Sequence, residues 1–298
     1  MLTKIQPAYR LCAIVLLWLA TALAASAQYT VARQRPPKTL DDVPPSKELV
    51  RTGLYVISGG GCNSVLRLSG NGLILVDGKL PGNYDDLLFH VRRIAPQGIR
   101  ALILTDYHQV HSGNDAKFIE DGTAIIAQNN VKLSLTANSP SDSKIVPPTV
   151  TYDREYQIKM GGIEAQLMHF GNAHTDGDTV VYFPNLKVVA VGDLFAKTPD
   201  PDFSAGGSLV GWGPVLAQVL KLDFDIVVPG TGSVVTRAEL EAFKTKIDTL
   251  VSRATSLVNQ GVPKDQLMAQ LKTDDLGWHL NLTGDDLNHF YAELSPVK

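Results

Sequence analysis

The side chains best suited to chemistry lie in three short polar segments of the sequence. They are Asp106, His108, His111, His174 and Asp193. Imidazole and carboxylate groups are common ligands of divalent metals, and both also transfer protons. If the chain folds these segments onto one point, metal-assisted chemistry becomes possible there.

Each polar segment adjoins an apolar run that is typical of a β-strand. The first follows residues 101–104, the second precedes 179–183, and the third follows 188–191. A fourth polar loop, 229–232, comes after the apolar run 226–228. Side chains at strand ends converge on one edge of a sheet, where sites commonly lie. The pattern therefore predicts a single polar cluster.

The remaining pattern alternates strands with amphipathic helices and favours a layered αβ architecture. Further strands are predicted over 65–68, 73–76 and 124–127. Three- and four-residue apolar spacing and start signals predict helices over 85–94, 115–120, 237–259, 264–271 and 285–294.

Three local features refine this prediction. Thr236 and Glu239 fit a capping box at the start of the longest helix, and Thr283 resembles a cap for the last one. The glycine-rich stretch 206–213 is a candidate substrate-lining loop, in which Trp212 is either an apolar contact or a core residue.

Five collinear motifs resemble those of the metallo-β-lactamase superfamily. Residues 106–111 are similar to the family's His-x-His-x-Asp-His, and 171–178 to its Gly-x-x-His-Thr-x-Gly-Asp. Asp193 matches the bridging aspartate, 73–78 the strand ending in a buried aspartate, and 229–232 the Pro-Gly-His-Gly motif. The resemblance implies a four-layer αββα sandwich of the α/β (α+β) class with additional C-terminal helices.

The resemblance also implies a metal centre with altered ligands. At the first metal position the family's three histidines correspond to Asp106, His108 and His174, and Asp193 could assist. Two imidazoles and one carboxylate still form a workable ligand set. We therefore expect zinc, as one ion rather than two, with iron or manganese as alternatives.

The second metal position departs further from the family pattern. Val110 and Thr231 stand where the family has an aspartate and a histidine, so that only His111 and Asp193 remain. Two ligands are too few for a stable site without help. Asp193 and His111 are the candidate catalytic residues. Asp77 is expected to orient the first motif rather than to bind metal.

Two functions follow from the resemblance. One is a metal-dependent hydrolase of a small ester, thioester, lactone or lactam, because a bound divalent metal lowers the pKa of water from about 15.7 to near 7. The alternative is a catalytically inactive binding or scaffold protein on the same fold, which Val110 and Thr231 favour. A small molecule is the expected partner. The net charge of −3 over 298 residues does not indicate nucleic acid.

The N-terminus has the pattern of a secretory signal peptide. Lys4 and Arg10 precede an apolar run, and Ala25-Ser26-Ala27 fits a cleavage site. We therefore predict a signal peptide over 1–27 and a periplasmic or secreted mature protein that is not embedded in a membrane. A proline-rich arm over 28–50 and one domain over 51–298 complete the predicted organisation, with 237–298 as its C-terminal helices.

Overall fold

The computed structural model describes residues 46–137 and 146–295. The predicted signal peptide and most of the proline-rich arm lie outside these residues. The last residues of the predicted arm, 46–50, form most of the first strand.

The first sheet has seven strands in the order β1-β2-β3-β4-β5-β6-β7. The strands are β1 (Ser46–Arg51), β2 (Leu54–Ser58), β3 (Ser64–Ser69), β4 (Gly72–Val76), β5 (Ile99–Ile103), β6 (Ala124–Gln128) and β7 (Val150–Tyr152). The strands from β1 to β4 pair antiparallel, and those from β4 to β7 pair parallel. The carboxyl ends of β4 and β5 therefore lie at the same edge.

The second sheet has six strands in the order β13-β12-β11-β10-β9-β8. The strands are β8 (Glu155–Met160), β9 (Ile163–Met168), β10 (Val180–Phe183), β11 (Val188–Gly192), β12 (Ile226–Pro229) and β13 (Val235–Thr236). Only β11 and β12 pair parallel in this sheet, and their carboxyl ends again share an edge.

Helices accompany both sheets, and most of them cover an outer face. They are α1 (Tyr84–Ile94), α2 (Gln109–Ser112), α3 (Asp115–Glu120), α4 (Asn129–Ala137), α5 (Leu209–Val219), α6 (Arg237–Asn259), α7 (Lys264–Gln270) and α8 (Gly284–Leu294). Helices α1, α3 and α4 pack on the first sheet, while α5 to α8 pack on the second. A third apolar cluster fills the space between the sheets. The predicted four-layer αββα sandwich is confirmed.

Most predicted elements are present, with boundaries that agree within about two residues. The capping box is confirmed, because the Thr236 hydroxyl accepts from the Glu239 amide while the Glu239 carboxylate accepts from the Thr236 amide. Thr283 does precede α8 as its N-cap residue, but its side chain makes no capping hydrogen bond.

The prediction of a substrate-lining loop over 206–213 is wrong for its second half. Residues from Leu209 onward belong to helix α5, and Trp212 is fully buried on the outer face of the second sheet. The Trp212 indole donates to the carbonyl of Leu194, 3.0 Å away. Trp212 is therefore a core residue that also holds the segment after Asp193.

Among residues 46–137 and 146–295, we find no helix whose length and apolar character would suit it to cross a bilayer.

Candidate metal centre

The candidate site lies where the carboxyl ends of three strands meet between the two sheets. Asp77 follows β4, Asp106 follows β5, and Asp193 follows β11. The two sheets are tied together here, since the amide of Thr179 donates to the carbonyl of Thr105 over 2.7 Å. The Gly192 backbone, at φ 52°, passes so close that a Cβ there would lie 2.6 Å from Thr105. Glycine at 192 is thus required for the close approach.

Asp106 stands at the middle of the cluster. Its carboxylate is 1% exposed and belongs to two groups of potential ligands, one with His108 and His174 and one with His111 and Asp193. The structure therefore brings together every candidate metal ligand that the sequence analysis named.

The first group is built around Asp106 Oδ1. His108 Nδ1 lies 3.1 Å from that oxygen and 3.3 Å from His174 Nε2. The backbone amide of His108 also donates to Asp106 Oδ1 over 2.7 Å, which fixes the carboxylate relative to the loop.

The second group is built around Asp106 Oδ2. His111 Nε2 lies 3.4 Å from this oxygen and 3.4 Å from Asp193 Oδ2. His174 Nε2 lies 3.8 Å from Asp106 Oδ2 and 3.7 Å from Asp193 Oδ2, so it borders both groups.

Each imidazole has an oxygen on the side that faces away from the cluster. His111 Nδ1 lies 3.0 Å from Asp77 Oδ2, and His174 Nδ1 lies 2.7 Å from the carbonyl oxygen of Asp200. His108 Nε2 lies 3.1 Å from Asp202 Oδ2. Such partners would hold the proton of a cation-bound imidazole on its outer nitrogen, so that the inner nitrogen could act as the ligand.

Asp77 makes the contacts that the expected orienting role requires. It accepts hydrogen bonds from the Thr105 amide and the Thr105 hydroxyl, both over 2.9 Å. It thereby connects the end of β4 to the end of β5 and to His111.

The cluster carries an excess of buried negative charge. Burial by itself lowers the pKa of His111, but Asp106, Asp77 and Asp193 outweigh this effect and raise the pKa well above its ordinary value. Burial raises the pKa of Asp106, yet His111, with help from the other histidines, brings it below its usual range. A group of carboxylates that stabilises positive charge this strongly is suited to a cation.

The donor atoms also have the spacing that a cation needs. Donors around a tetrahedral Zn²⁺ lie about 3.3 to 3.5 Å apart, given metal–ligand distances near 2.0–2.1 Å. The distances of 3.1–3.8 Å within the cluster fit this requirement. The buried Nε2 of His111 has no hydrogen-bond partner among the described residues. Buried polar atoms are rarely left unpaired, so the residues present fit a metal ion.

Comparison with known proteins decides the family. The model of the metallo-beta-lactamase superfamily matches residues 57–231, more than half of the chain. The chain belongs to the metallo-beta-lactamase superfamily.

Two curated relatives agree with this assignment. The chain is 27% identical to the 2,4-dinitroanisole O-demethylase subunit alpha of Nocardioides sp. strain JS1661 over 221 residues, which is 73% of this chain and 67% of the relative. It is 26% identical to the metallo-beta-lactamase type 2 of Bacillus cereus over 202 residues, 64% of this chain and 75% of the relative.

Solved structures of the superfamily share the fold. The metallo-beta-lactamase from Pontibacter korlensis superposes with a TM-score of 0.61 at 16% identity, covering 68% of this chain and 99% of its own. The lactamase FIM-1 from Pseudomonas aeruginosa, solved in a mono-zinc form, gives a TM-score of 0.60 at 17% identity, covering 70% and 97%.

Within this superfamily fold, the two substituted positions lie at the edge of the cluster. Val110 is half-buried in helix α2, and Thr231 is exposed in the loop after β12. The sequence analysis left only His111 and Asp193 for the second metal position. The structure adds Asp106 to that pair, because its second oxygen faces them.

Sequence reasoning missed Asp202. Its carboxylate accepts hydrogen bonds from the Tyr107 hydroxyl, the Ser204 amide and the Ser204 hydroxyl, in addition to its contact with His108. Asp202 is separated from His108 by 94 residues and belongs to no family motif, so no local signal connects the two.

Proposed function

We propose that this protein is a metal-dependent hydrolase of small molecules with an altered metal centre. The observation that carries the proposal is the pair of ligand groups that share Asp106, together with the buried Nε2 of His111, which makes no hydrogen bond among the described residues. Membership of a hydrolase-type superfamily supports the reaction class.

The metal would be held by Asp106, His108 and His174, with Asp193 assisting and His111 as a further candidate ligand. When bound, a divalent cation would supply a Lewis acid and lower the pKa of water. The chain's own residues supply the rest. Asp77, Asp202 and the carbonyl of Asp200 orient the imidazoles, and burial excludes bulk solvent from Asp106 and His111.

Zinc is the metal we propose, since tetrahedral sites of nitrogen and oxygen donors are typical of it. We propose one ion rather than two. The donor atoms form two groups of three residues that share one carboxylate, and sharing Asp106 between two cations would leave each with few ligands.

Elemental analysis of the purified chain tests the metal. We expect about one zinc per chain, lost in His108→Ala and kept in His279→Ala, whose imidazole is 90% exposed and far from the motifs in the sequence. Two zinc ions per chain would contradict the proposed single ion. No metal between about pH 6 and 9 would support the alternative, an inactive binding or scaffold protein.

A substrate panel tests the reaction. It contains an aryl ester, a thioester, a lactone and a β-lactam, and also 2,4-dinitroanisole because of the demethylase relative. We expect zinc-dependent hydrolysis of at least one compound, abolished in His111→Ala. If the metal-loaded protein hydrolyses none of these compounds, the alternative of an inactive binding protein is favoured. The loss of family ligands at Val110 and Thr231 supports that alternative.

We also propose that the protein acts in the periplasm or outside the cell. Support comes from the charged start, the apolar run and the Ala25-Ser26-Ala27 cleavage pattern. N-terminal sequencing of the protein from a periplasmic fraction should begin near Gln28. Recovery of uncleaved chain from the cytoplasm would contradict the proposal.

A further inference from the structure

The segment that follows Asp193 carries two of the oxygens that face the imidazoles. The carbonyl oxygen of Asp200 lies 2.7 Å from His174 Nδ1, and the carboxylate of Asp202 lies 3.1 Å from His108 Nε2. Because a carbonyl oxygen can only accept, His174 Nδ1 is the donor in the first contact. The orientation of His174 therefore depends on where the backbone of this segment lies.

The stretch 195–200 has little support of its own. It contains no helix or strand, and among the residues that the structure describes none of its backbone groups bonds to another backbone group. Pro199 and Pro201 restrict the backbone on either side of Asp200. Because the prolines stiffen this stretch, a displacement of Lys197 is passed on to the Asp200 carbonyl. The position of that carbonyl thus depends on side chains from elsewhere that hold the stretch in place.

Trp278 supplies a contact of this kind. Its indole donates to the carbonyl of Lys197 over 3.1 Å. Apart from the bond to the imidazole, this is the one hydrogen bond that the described residues make to the stretch. The indole is itself fixed, because Trp278 is 2% exposed, its carbonyl accepts from the Thr273 hydroxyl over 2.7 Å, and its ring packs edge-to-face on Phe243.

The C-terminal helices also contact the loop on the other side of Asp200. The ring of His289, on α8, stacks on Phe203 with centroids 5.9 Å apart and planes 10° apart. The match to the family model ends at residue 231, so Trp278 and His289 both lie outside the matching region. The C-terminal part of the chain therefore holds the loop on both sides of Asp200, once by a hydrogen bond and once by packing.

We propose that Trp278 is a positioning residue of the metal centre. By holding the carbonyl of Lys197, it keeps the Asp200 carbonyl against His174 Nδ1, so that Nε2 of the same imidazole stays turned toward Asp106. The inference rests on the proposed function for the cation that His174 would bind. The contact between His174 and Asp200 is a property of the chain itself.

The zinc affinity of Trp278→Phe tests the proposal, because this variant loses the indole N–H and keeps a buried aromatic ring. Loss of a direct partner of a metal-binding histidine lowers affinity by about 10- to 100-fold. Trp278 acts one step further out, so we expect a fall of about tenfold, measured by competition with a chromophoric chelator.

Tyr291→Phe is the matched control. It also removes one hydrogen bond from an aromatic side chain to a backbone carbonyl, since the Tyr291 hydroxyl donates to the carbonyl of Val262 over 3.0 Å. That bond joins α8 to the residues that follow α6, within the C-terminal helices. We expect Tyr291→Phe to bind zinc as the unmodified chain does.

Proton NMR of the chelator-treated chain gives a second measurement that needs no metal. A buried imidazole N–H gives a low-field signal only while a hydrogen bond protects it from exchange with water. The signal of His174 is assigned by its loss in His174→Gln. We expect it to be present in the unmodified chain and in Tyr291→Phe, and broadened in Trp278→Phe.

The outcomes separate this proposal from the proposed function. Equal zinc affinity in Trp278→Phe and Tyr291→Phe would overturn it, and so would an unchanged His174 signal. Lower stability of Trp278→Phe in urea without either change would mean that Trp278 only packs the core. If the unmodified chain binds no zinc while the His174 signal still depends on Trp278, the proposed function fails and the positioning of His174 stands. Zinc-dependent hydrolysis with unchanged affinity in Trp278→Phe would do the reverse.

Discussion

At the scale of single residues, Asp106 changes what the cluster can do. An imidazole presents one inner donor atom to a cation, whereas a carboxylate presents two oxygens. Asp106 Oδ1 faces His108 and Oδ2 faces His111 and His174. The family's aspartate and histidine are missing at positions 110 and 231, which would leave His111 and Asp193 as an isolated pair. The second oxygen of Asp106 gives this pair a third ligand.

Asp202 gives a direct test of how the imidazoles are oriented. Asp202→Asn removes the charged acceptor 3.1 Å from His108 Nε2 and weakens the preference for a proton on that nitrogen. We expect zinc affinity to fall by about 10- to 100-fold, measured by competition with a chromophoric chelator. Asp200→Asn is the control, because only the backbone carbonyl of Asp200 contacts His174. Equal zinc affinity in both variants would show that Asp202 has no orienting role.

Because Asp115 is buried, we expect the free energy of unfolding to depend on pH. Burial, and secondarily the charge of Asp77, raises the pKa of Asp115 well above its ordinary value, and both carboxylate oxygens are buried without partners among the described residues. Folding therefore favours the protonated form. Its contribution to stability is complete below about pH 4, the ordinary pKa, and is lost as the pH rises toward the folded-state pKa.

Asp115→Asn should remove this loss. We expect the variant to gain at least about 1 kcal/mol relative to the unmodified chain between pH 4 and pH 8, measured by urea unfolding at each pH. The exposed Asp86→Asn on α1 serves as the control and should show no such trend. Parallel stability curves for Asp115→Asn and the unmodified chain would contradict the prediction.

At the scale of elements, a buried lysine fixes the loop between β2 and β3. Lys79 is fully buried, and its ammonium donates to the carbonyls of Ile57, Gly59 and Cys62 at 2.8, 2.6 and 2.7 Å. Burial lowers the pKa of Lys79, but three acceptors satisfy its three donors. The same loop is held on its other side by Asn63, whose amide donates to Pro229 and Gly232.

Lys79→Met should therefore destabilise the fold despite its similar volume. It leaves three carbonyls without a donor, and we expect a loss of about 3 kcal/mol or more in chemical denaturation, since each unsatisfied group costs about 1–3 kcal/mol. Lys47→Met on the exposed strand β1 is the control and should change stability by less than about 0.5 kcal/mol. A loss as small as that in Lys79→Met would mean that water replaces the ammonium.

Elements also differ in how far the sequence could predict them. Strands β4 and β11 are buried on both faces, so they appear as continuous apolar runs that are easily recognised. Strand β8 alternates exposed polar with half-buried apolar residues and contains no such run. Helix α5 has two glycines and a proline, which are typical of loops. Its Gly211 is needed because a Cβ there would lie 2.4 Å from the backbone carbonyl oxygen of Asn172.

At the scale of the whole molecule, the site could be predicted only where a motif marks it. The residues of the two histidine loops and Asp193 stand in recognisable patterns at strand ends. Asp202 and Lys79 do not, because their roles arise from contacts between segments that meet only after folding. The role of the second oxygen of Asp106 could not be predicted either, since the direction of this oxygen depends on how the two sheets pack.

The position of the cluster between the two sheets makes metal binding a property of the whole fold. Asp106 and His111 follow the first sheet, whereas Asp193 follows the second, so a shared cation would connect the two halves of the sandwich. Zinc at 100 times its dissociation constant should add about 2.7 kcal/mol to stability, because the unfolded chain does not assemble the ligands. For a domain of this size that corresponds to a rise in Tm of about 5–10 °C.

Thermal unfolding of chelator-treated protein with and without zinc measures this effect. Asp106→Asn should keep the fold, since the amide is isosteric, yet show no zinc-induced rise in Tm, because its charge and one oxygen donor are lost from both ligand groups. Asp200→Asn should respond to zinc as the unmodified chain does. If zinc raises the Tm of Asp106→Asn as much as that of the unmodified chain, the cation binds elsewhere and the shared carboxylate is not its ligand.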